Sequence, residues 1–325
     1  MAQVVLEIVD LALRATVRRT GFEPVAKADL SVCAGEVVGL VGESGSGKTL
    51  TALAALALLP QNVHLVRGSV TVAGHDLAML DEPALANLRG GTAAIVFQDS
   101  LGSLNPTMTI GQQVSEMVRL HADVRRPVAR DRALESLEQV GFPQPRARYD
   151  SYPHQLSGGQ RQRAAIAMAI AGRPRLLVAD EPTSALDVTV QAQVLQLLSQ
   201  LARDLGMGVL LITHDLGVVA AVADRVNVMY GGRTMEAGAT TAIFDEPAHR
   251  YTDALVRSAP TLSRSGDAQG GIPGLPPDPR APEPGCPFAP RCSHASDTCL
   301  DSPPPLEPSA EGRLVACYHP VVSGG

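Results

Sequence analysis

The chain has 325 residues, 45% of them apolar and 18% charged, with a formal net charge of −6. That length and apolar content support about two domains with full cores, and no uninterrupted apolar run approaches the ~18 residues of a membrane-spanning helix. The N-terminus lacks the basic-then-apolar pattern of a secretory leader, which points to the cytosol, and the acidic balance leaves no polybasic footprint for nucleic acid.

In chain order, Val4–Leu13 alternates, Arg18-Arg19-Thr20-Gly21 is a polar turn, and Ala28–Val32 alternates again, as in a small antiparallel sheet. Cys33 closes that pattern just before Ala34-Gly35 and reads as a small core residue. Glu36–Val41 is a buried parallel strand, followed by Gly42-Glu43-Ser44-Gly45-Ser46-Gly47-Lys48-Thr49 and a helix expected over Leu50–Leu59, stopped by Pro60. The eight-residue stretch fits G-x-x-x-x-G-K-[ST], the phosphate-binding P-loop, in the strand–loop–helix setting the motif needs. Gly42, Gly45 and Gly47, with Ser44 between, let backbone N–H groups turn inward as an anion nest. The helix start adds its positive end. Lys48 is placed to reach the β- and γ-phosphates and the Thr49 hydroxyl to hold Mg²⁺. Lys27 and Lys48 are the only lysines in a chain with 27 Lys and Arg, which makes Lys48 more telling.

Gly68–Gly74 is a further short strand, and Ala93–Phe97 is a buried strand that delivers Gln98 and Asp99 to its end. The period then turns helical, with helices expected over Ile110–His121, Ala129–Val140 and from near Ser157. The breaks fall at Pro127, Gly141-Phe142-Pro143 and Tyr152-Pro153. A helical insertion at about 100–171 within an α/β core is the expectation. The core resumes at Arg175–Ala179, with Asp180 and Glu181 at the carboxyl end of the strand, the end where open α/β sheets bind ligands. Asp180 suits a Mg²⁺ shell, and Glu181 suits the general base that polarises the attacking water. Thr189–Leu205 is an amphipathic helix and Val209–Ile212 another buried strand, with His214 just beyond it, placed to hydrogen-bond a γ-phosphate or the attacking water. Val226–Tyr230, Gly231-Gly232 and Arg233–Glu236 form a hairpin. Ala248–Ser258 is a last short helix.

The string Leu156-Ser157-Gly158-Gly159-Gln160-Arg161-Gln162-Arg163 opens the last insertion helix. Ser157 is a natural N-cap and the paired glycines leave N–H groups bare, a second phosphate-binding helix end. Taken in order, the P-loop, Gln98, this string, Asp180-Glu181, Ser184-Ala185-Leu186-Asp187 and His214 resemble the ATP-binding cassette (ABC) ATPases over about residues 4–258. The resemblance implies a P-loop NTPase core of α/β class with an N-terminal antiparallel β subdomain and a helical insertion subdomain. It implies that ATP lies between one protomer's P-loop and the other's Ser157, Gly159 and Gln160, with Asp187 bridging the two sites. Gln98 would join Thr49 and Asp180 around Mg²⁺ and link them to the insertion. A single P-loop and a single signature cannot complete a site alone, so a second ATPase subunit is implied, either a second copy or, as the resemblance favours, a related chain.

Phe97-Gln98-Asp99, Ser103-Leu104-Asn105-Pro106, Tyr152-Pro153-His154-Gln155, Val228–Arg233 and His249-Arg250-Tyr251-Thr252 are similar to the ATPases of oligopeptide and dipeptide importers, a branch that includes nickel uptake. That similarity implies two membrane permeases, an extracytoplasmic solute-binding protein and a place at the cytoplasmic face of the inner membrane. Import of nickel or another small solute, or a soluble ABC ATPase outside transport, are the alternatives. One departure stands out: Ala15 falls where the family carries an aromatic ring for adenine, with Phe22 nearby.

From Pro260 to Pro308 lie 13 of the 25 prolines, too many for a helix or a central strand. The expected division is a cassette over 1–258 and a Cys-rich irregular extension over 259–325. Cys286, Cys292, Cys299 and Cys317 stand there at spacings C-x5-C-x6-C-x17-C. In a reducing compartment such thiols are metal ligands more readily than disulfides. The spacing matches neither a zinc ribbon nor a bacterial ferredoxin run, so Zn²⁺ and an iron–sulfur cluster both stay open. His294 and His319 read as surface residues, and become alternative ligands only where a cysteine is free. The string Gly285-Cys286-Pro287-Phe288-Ala289-Pro290-Arg291-Cys292 resembles the tail of peptide-importer ATPases, which implies a [4Fe–4S] cluster.

Overall fold

A computed structural model describes residues 3–17, 20–99, 102–184, 186–259, 271–309 and 312–321. Arg18 and Arg19 of the expected turn, Ala185 of the Ser184–Asp187 string and residues 260–270 of the extension lie outside the described residues. The strands are β1 (Val4–Val17), β2 (Thr20–Cys33), β3 (Val37–Val41), β4 (Val63–Val72), β5 (His75–Asp76), β6 (Ala93–Val96), β7 (Leu176–Asp180), β8 (Gly208–Ile212), β9 (Arg225–Tyr230), β10 (Arg233–Ala239), β11 (Glu307–Pro308) and β12 (Leu314–Val315). The helices are α1 (Lys48–Ala54), α2 (Glu82–Gly91), α3 (Ile110–His121), α4 (Arg126–Gln139), α5 (Pro145–Arg148), α6 (Gly158–Ile170), α7 (Val188–Leu205), α8 (Leu216–Val222), α9 (Thr240–Asp245), α10 (Arg250–Ser258) and α11 (Asp297–Asp301).

The chain divides into two compact units. The first comprises Met1–Leu6, Val32–Val37 and Thr71–Leu211. Its strands β6 and β7 run parallel, with Val96 opposite Ala179, and β8 neighbours β7. Leu176–Ala179 and Val209–Leu211 are all buried, the continuous apolar pattern of strands covered on both faces. In the insertion, α3 packs on α4 and α6. Thr109 and Gln112 form a capping box at the start of α3, which fixes that boundary where the sequence placed it. Tyr149 fills the space beside Gly111, where an added Cβ would lie 2.3 Å from the ring.

The second unit comprises Glu7–Ser31, Val38–Val70 and Ile212–Gly325. Its strands follow the order β4-β1-β2-β10-β9-β3, with β3 and β9 parallel and Gly39 opposite Val226. Gly39 is required there, because a Cβ would approach Val219 of α8 to 2.4 Å. Helix α1 is shorter than expected: it ends at Ala54, and Ala57 turns to φ 50 ahead of Pro60. The left-handed backbone at Ala57 takes the chain out of the helix before it reaches Pro60. The extension is not a separate layer. Phe288, Ala289, Cys286 and Cys299 are buried in one cluster with Tyr230, Met235, Ile243 and Tyr251. Its strand β12 pairs antiparallel with β10, Glu236 opposite Val315. The tail therefore takes its apolar burial from the cassette rather than from a core of its own.

Candidate functional site

In the second unit, β3 delivers the P-loop. Gly42, Gly45 and Gly47 have φ of 148, 79 and 100, a backbone region that side chains strain to reach. Gly42 has a further reason to be glycine: a Cβ there would sit 2.0 Å from the Met229 carbonyl oxygen. The hairpin turn supports the loop, Gly232 N–H donating to the Ser46 carbonyl at 3.1 Å. Lys48 is 8% exposed and its Nζ donates to the carbonyls of Gly42 and Glu43 at 2.8 and 2.9 Å. Ser44, Gly45 and Thr49 are exposed and Ser46 is buried, so the loop's open face carries the hydroxyls of Ser44 and Thr49. His214 is exposed beyond β8, ahead of Asp215, which caps α8 by accepting from Gly217 and Val218 N–H.

Sequence reasoning missed what holds the P-loop from behind. Arg291 of the extension forks onto Glu43, with Nη1 to Oε2 at 2.6 Å and Nη2 to Oε1 at 3.1 Å. The same guanidinium donates to Tyr230 Oη at 2.8 Å and to the carbonyls of Pro273 and Ile272 at 2.8 and 2.7 Å. The Glu43 side-chain hydrogen bonds come first among the causes that raise the Arg291 pKa above its usual value. Glu43 N–H donates to Tyr251 Oη at 2.9 Å, and burial pushes the phenols of Tyr251 and Tyr230 up. Arg291 lies within the Cys-rich string, but nothing local to it points to a partner 248 positions earlier.

In the first unit the register of β6 and β7 puts Gln98, two residues past Val96, at the same edge as Asp180 and Glu181. Gln98 is exposed, Asp180 and Glu181 half-buried. Glu181 adopts φ 47, rare for a residue with a side chain. Ser157 caps α6 in a capping box with Gln160: Gln160 N–H donates to Ser157 Oγ at 3.4 Å, and Ser157 N–H to Gln160 Oε1 at 3.1 Å. Asp187 caps α7, accepting from Val190 N–H at 3.0 Å. The two helix starts meet, since a Cβ on Gly159 would lie 2.8 Å from Val190. So the structure brings Gln98, Asp180 and Glu181 to one edge and Ser157, Gly159 and Asp187 to one corner. The oxygen donors of Asp180 and Gln98 are of the type Mg²⁺ takes.

Cys286, Cys292, Cys299 and Cys317 all line one cavity of about 20 Å³, with His249, His294 and His319 on the same wall. None is in a disulfide. Burial pushes the Cys286 thiol up to about 11 and raises Cys317 as well. The expected four-thiolate centre is corrected to this extent: among the described residues no three His, Cys, Asp or Glu side chains stand close enough to hold a metal ion. The buried thiols are packed as small apolar groups around the Phe288 cluster. Ala15 is 4% exposed and presents only a methyl group.

The family model described as ABC transporter matches residues 25–184. A second, for the oligopeptide/dipeptide transporter C-terminal region, matches residues 235–299. The chain is 44% identical to the oligopeptide transport ATP-binding protein OppD of Salmonella typhimurium over 320 residues, 98% of this chain and 95% of that protein. It is 49% identical to a putative peptide import ATP-binding protein of Brucella abortus over 282 residues, 87% and 85% of the two. With the dipeptide transport ATP-binding protein DppD of Escherichia coli it shares 44% over 304 residues, 94% and 93%. Among solved structures, the ATP-binding cassette MJ0796, dimeric and bound to ADP and Pi, superposes with a TM-score of 0.63 at 26% identity, covering 72% of this chain and 98% of that one. The cassette cbiO1 of Clostridium perfringens superposes with a TM-score of 0.66 at 25% identity, covering 75% and 92%.

Proposed function

Because the chain belongs to the ABC transporter family of ATP-binding cassettes, we propose that it is the ATP-hydrolysing subunit of an importer for oligopeptides or dipeptides. The observation that carries this is the P-loop, with three glycines at positive φ and Lys48 at its end, its Nζ on the carbonyls of Gly42 and Glu43. The α-, β- and γ-phosphates lie along that loop, where the helix start and Lys48 offset the charge that develops as the terminal phosphoryl departs. Thr49, Asp180 and Gln98 would hold Mg²⁺, which supplies charge neutralisation at the phosphates. Glu181 takes the proton of the attacking water and His214 orients it.

Ser157, Gly159 and Gln160 serve the nucleotide of a second ATPase subunit, and Asp187 bridges the two sites. Support for pairing comes from the dimeric state of the MJ0796 cassette. Two permeases, an extracytoplasmic binding protein and attachment at the cytoplasmic face complete the assembly. The transport ATP-binding relatives support this reading, and no helix among the described residues is long and apolar enough to cross a membrane. Cys286, Cys292, Cys299 and Cys317 would be the ligands of a [4Fe–4S] cluster, or alternatively of Zn²⁺, whose contribution is to fasten the extension. That all four line one small cavity is what supports this reading.

The test of the ATPase reading is Glu181→Gln. The variant is expected to bind ATP as the wild type does while its steady-state hydrolysis falls by about 10²-fold or more. Unchanged turnover would remove Glu181 from the mechanism.

A further inference from the structure

His249, His294 and His319 share the wall of the cysteine cavity, and His249 differs from the other two. His294 and His319 are exposed, and His319 Nε2 lies 2.8 Å from Ser296 Oγ. His249 is 1% exposed. Its ring is fixed from several directions. Glu236 Oε2 accepts from the His249 backbone N–H at 2.9 Å, and the Phe288 ring lies 6.4 Å away between centroids. As the cap of α10, its Nδ1 accepts from Tyr251 N–H at 2.9 Å.

That last bond decides where the ring proton sits. A neutral imidazole that accepts at Nδ1 carries its hydrogen on Nε2, and burial keeps this ring neutral by lowering its pKa to about 4. The result is a buried N–H donor on the wall of a cavity lined by four thiols. Among the described residues Nε2 has no hydrogen-bond partner. The Ala316 carbonyl acts on the ring in the sense of raising its pKa, and burial outweighs it. A buried donor with nothing to donate to lowers stability, so native structures seldom keep one unless water or a ligand supplies the acceptor. Protonated at Nε2, the ring is no metal ligand there, and what it offers is a hydrogen. The acceptor that four cysteines bring to this wall is sulfur, at its most negative when bound to metal.

We propose that His249 is a positioning residue of the cysteine centre, its Nε2–H donating to a sulfur of the iron–sulfur cluster that the four cysteines would hold. The proposal rests on the reading of those cysteines as cluster ligands. Hydrogen bonds to sulfur are among the levers that set a cluster's reduction potential. Because reduction adds negative charge to the sulfurs, a donor here favours the reduced form, and His249 raises the potential without being a ligand.

The test uses the full chain purified anaerobically, with iron content and midpoint potential measured for the wild type, His249→Asn and His249→Gln. Asparagine is a good helix cap and keeps an acceptor for Tyr251 N–H, but it is too short to donate where Nε2 does. Glutamine carries an amide N–H out to about that position. His249→Asn is expected to keep its iron and to favour the oxidised form about tenfold more, a midpoint lower by about 59 mV for a one-electron couple. His249→Gln recovers most of that shift. Pulsed EPR of the reduced wild type, its histidines isotopically labelled at nitrogen, is expected to show a hyperfine coupling that His249→Asn loses. An unchanged midpoint in His249→Asn overturns the proposal, and so does a wild type without that coupling. Loss of iron from a folded His249→Asn chain overturns it as well, since the ring would then be a structural support. A wild-type chain that holds no iron overturns the cluster reading itself, a different result from these.

Discussion

Arg291 places both terminal guanidinium nitrogens on the carboxylate of Glu43, joining the Cys-rich extension to the P-loop across 248 positions of sequence. The side chains are 5% and 23% exposed, so water screens the pair little. A bidentate, shielded pair of this kind is costly to break from one side, because the remaining charge keeps its desolvation penalty. Arg291→Ala is expected to lower unfolding stability by about 3 kcal/mol, and Arg291→Lys to recover only part, since an ammonium cannot reproduce the fork. Urea unfolding of the three proteins measures this. A loss under about 0.5 kcal/mol, the range of an ordinary surface substitution, would show that the clamp contributes little.

The elements that depend on local pattern were legible in the sequence. Helix α3 spans Ile110–His121, as its apolar period places it, and the strand before Asp180 follows from its four consecutive apolar residues. The P-loop was legible because its spacing is set by the phosphates it wraps. The Arg291–Glu43 clamp was not, because either residue alone is an unremarkable charge and only the folded chain brings them together. The packing of the tail was hidden for a related reason. Its prolines limit regular elements to the short α11, β11 and β12, and that says nothing about Phe288, which packs its ring 5.5 Å from Tyr230 and 5.4 Å from Tyr251.

His249 gives the fold a pH dependence. It is 1% exposed, and its pKa is lowered from 6.5 to about 4 by desolvation, while its Nδ1 accepts from Tyr251 N–H at 2.9 Å. The unfolded chain therefore takes up a proton on this residue below about pH 6.5 that the folded chain does not take up until about pH 4, so stability falls as the pH is lowered through that window. The expected loss is about 3 kcal/mol by pH 4. Glu236, buried beneath Ala248 and His249, works in the opposite sense, since burial raises its pKa and protonation on acidification favours the fold. The His249→Gln variant keeps an acceptor for Tyr251 N–H and removes the titration. Subtracting its stability profile from the wild type's isolates the His249 contribution, and parallel profiles from pH 7 to pH 4 would refute it.

For the cysteine cavity the expected outcome is a coloured protein on anaerobic purification, with about four irons per chain. Cys299→Ala, which removes a buried member of the set, is expected to abolish both iron and visible absorbance. Stoichiometric zinc without colour would assign the thiols to the other metal, and titration of five free thiols in a metal-free chain would leave the cavity a packing feature.

The chain contains no tryptophan and only five tyrosines. Two of these, Tyr230 and Tyr251, face each other at 4.3 Å between ring centroids and touch Arg291 and the Glu43 backbone. Ultraviolet emission from this protein is therefore tyrosine emission alone, with a large share arising directly beneath the phosphate-binding loop. The molecule carries its own optical reporter at the junction of loop and tail, and neither a label nor an introduced chromophore is needed to watch that junction move.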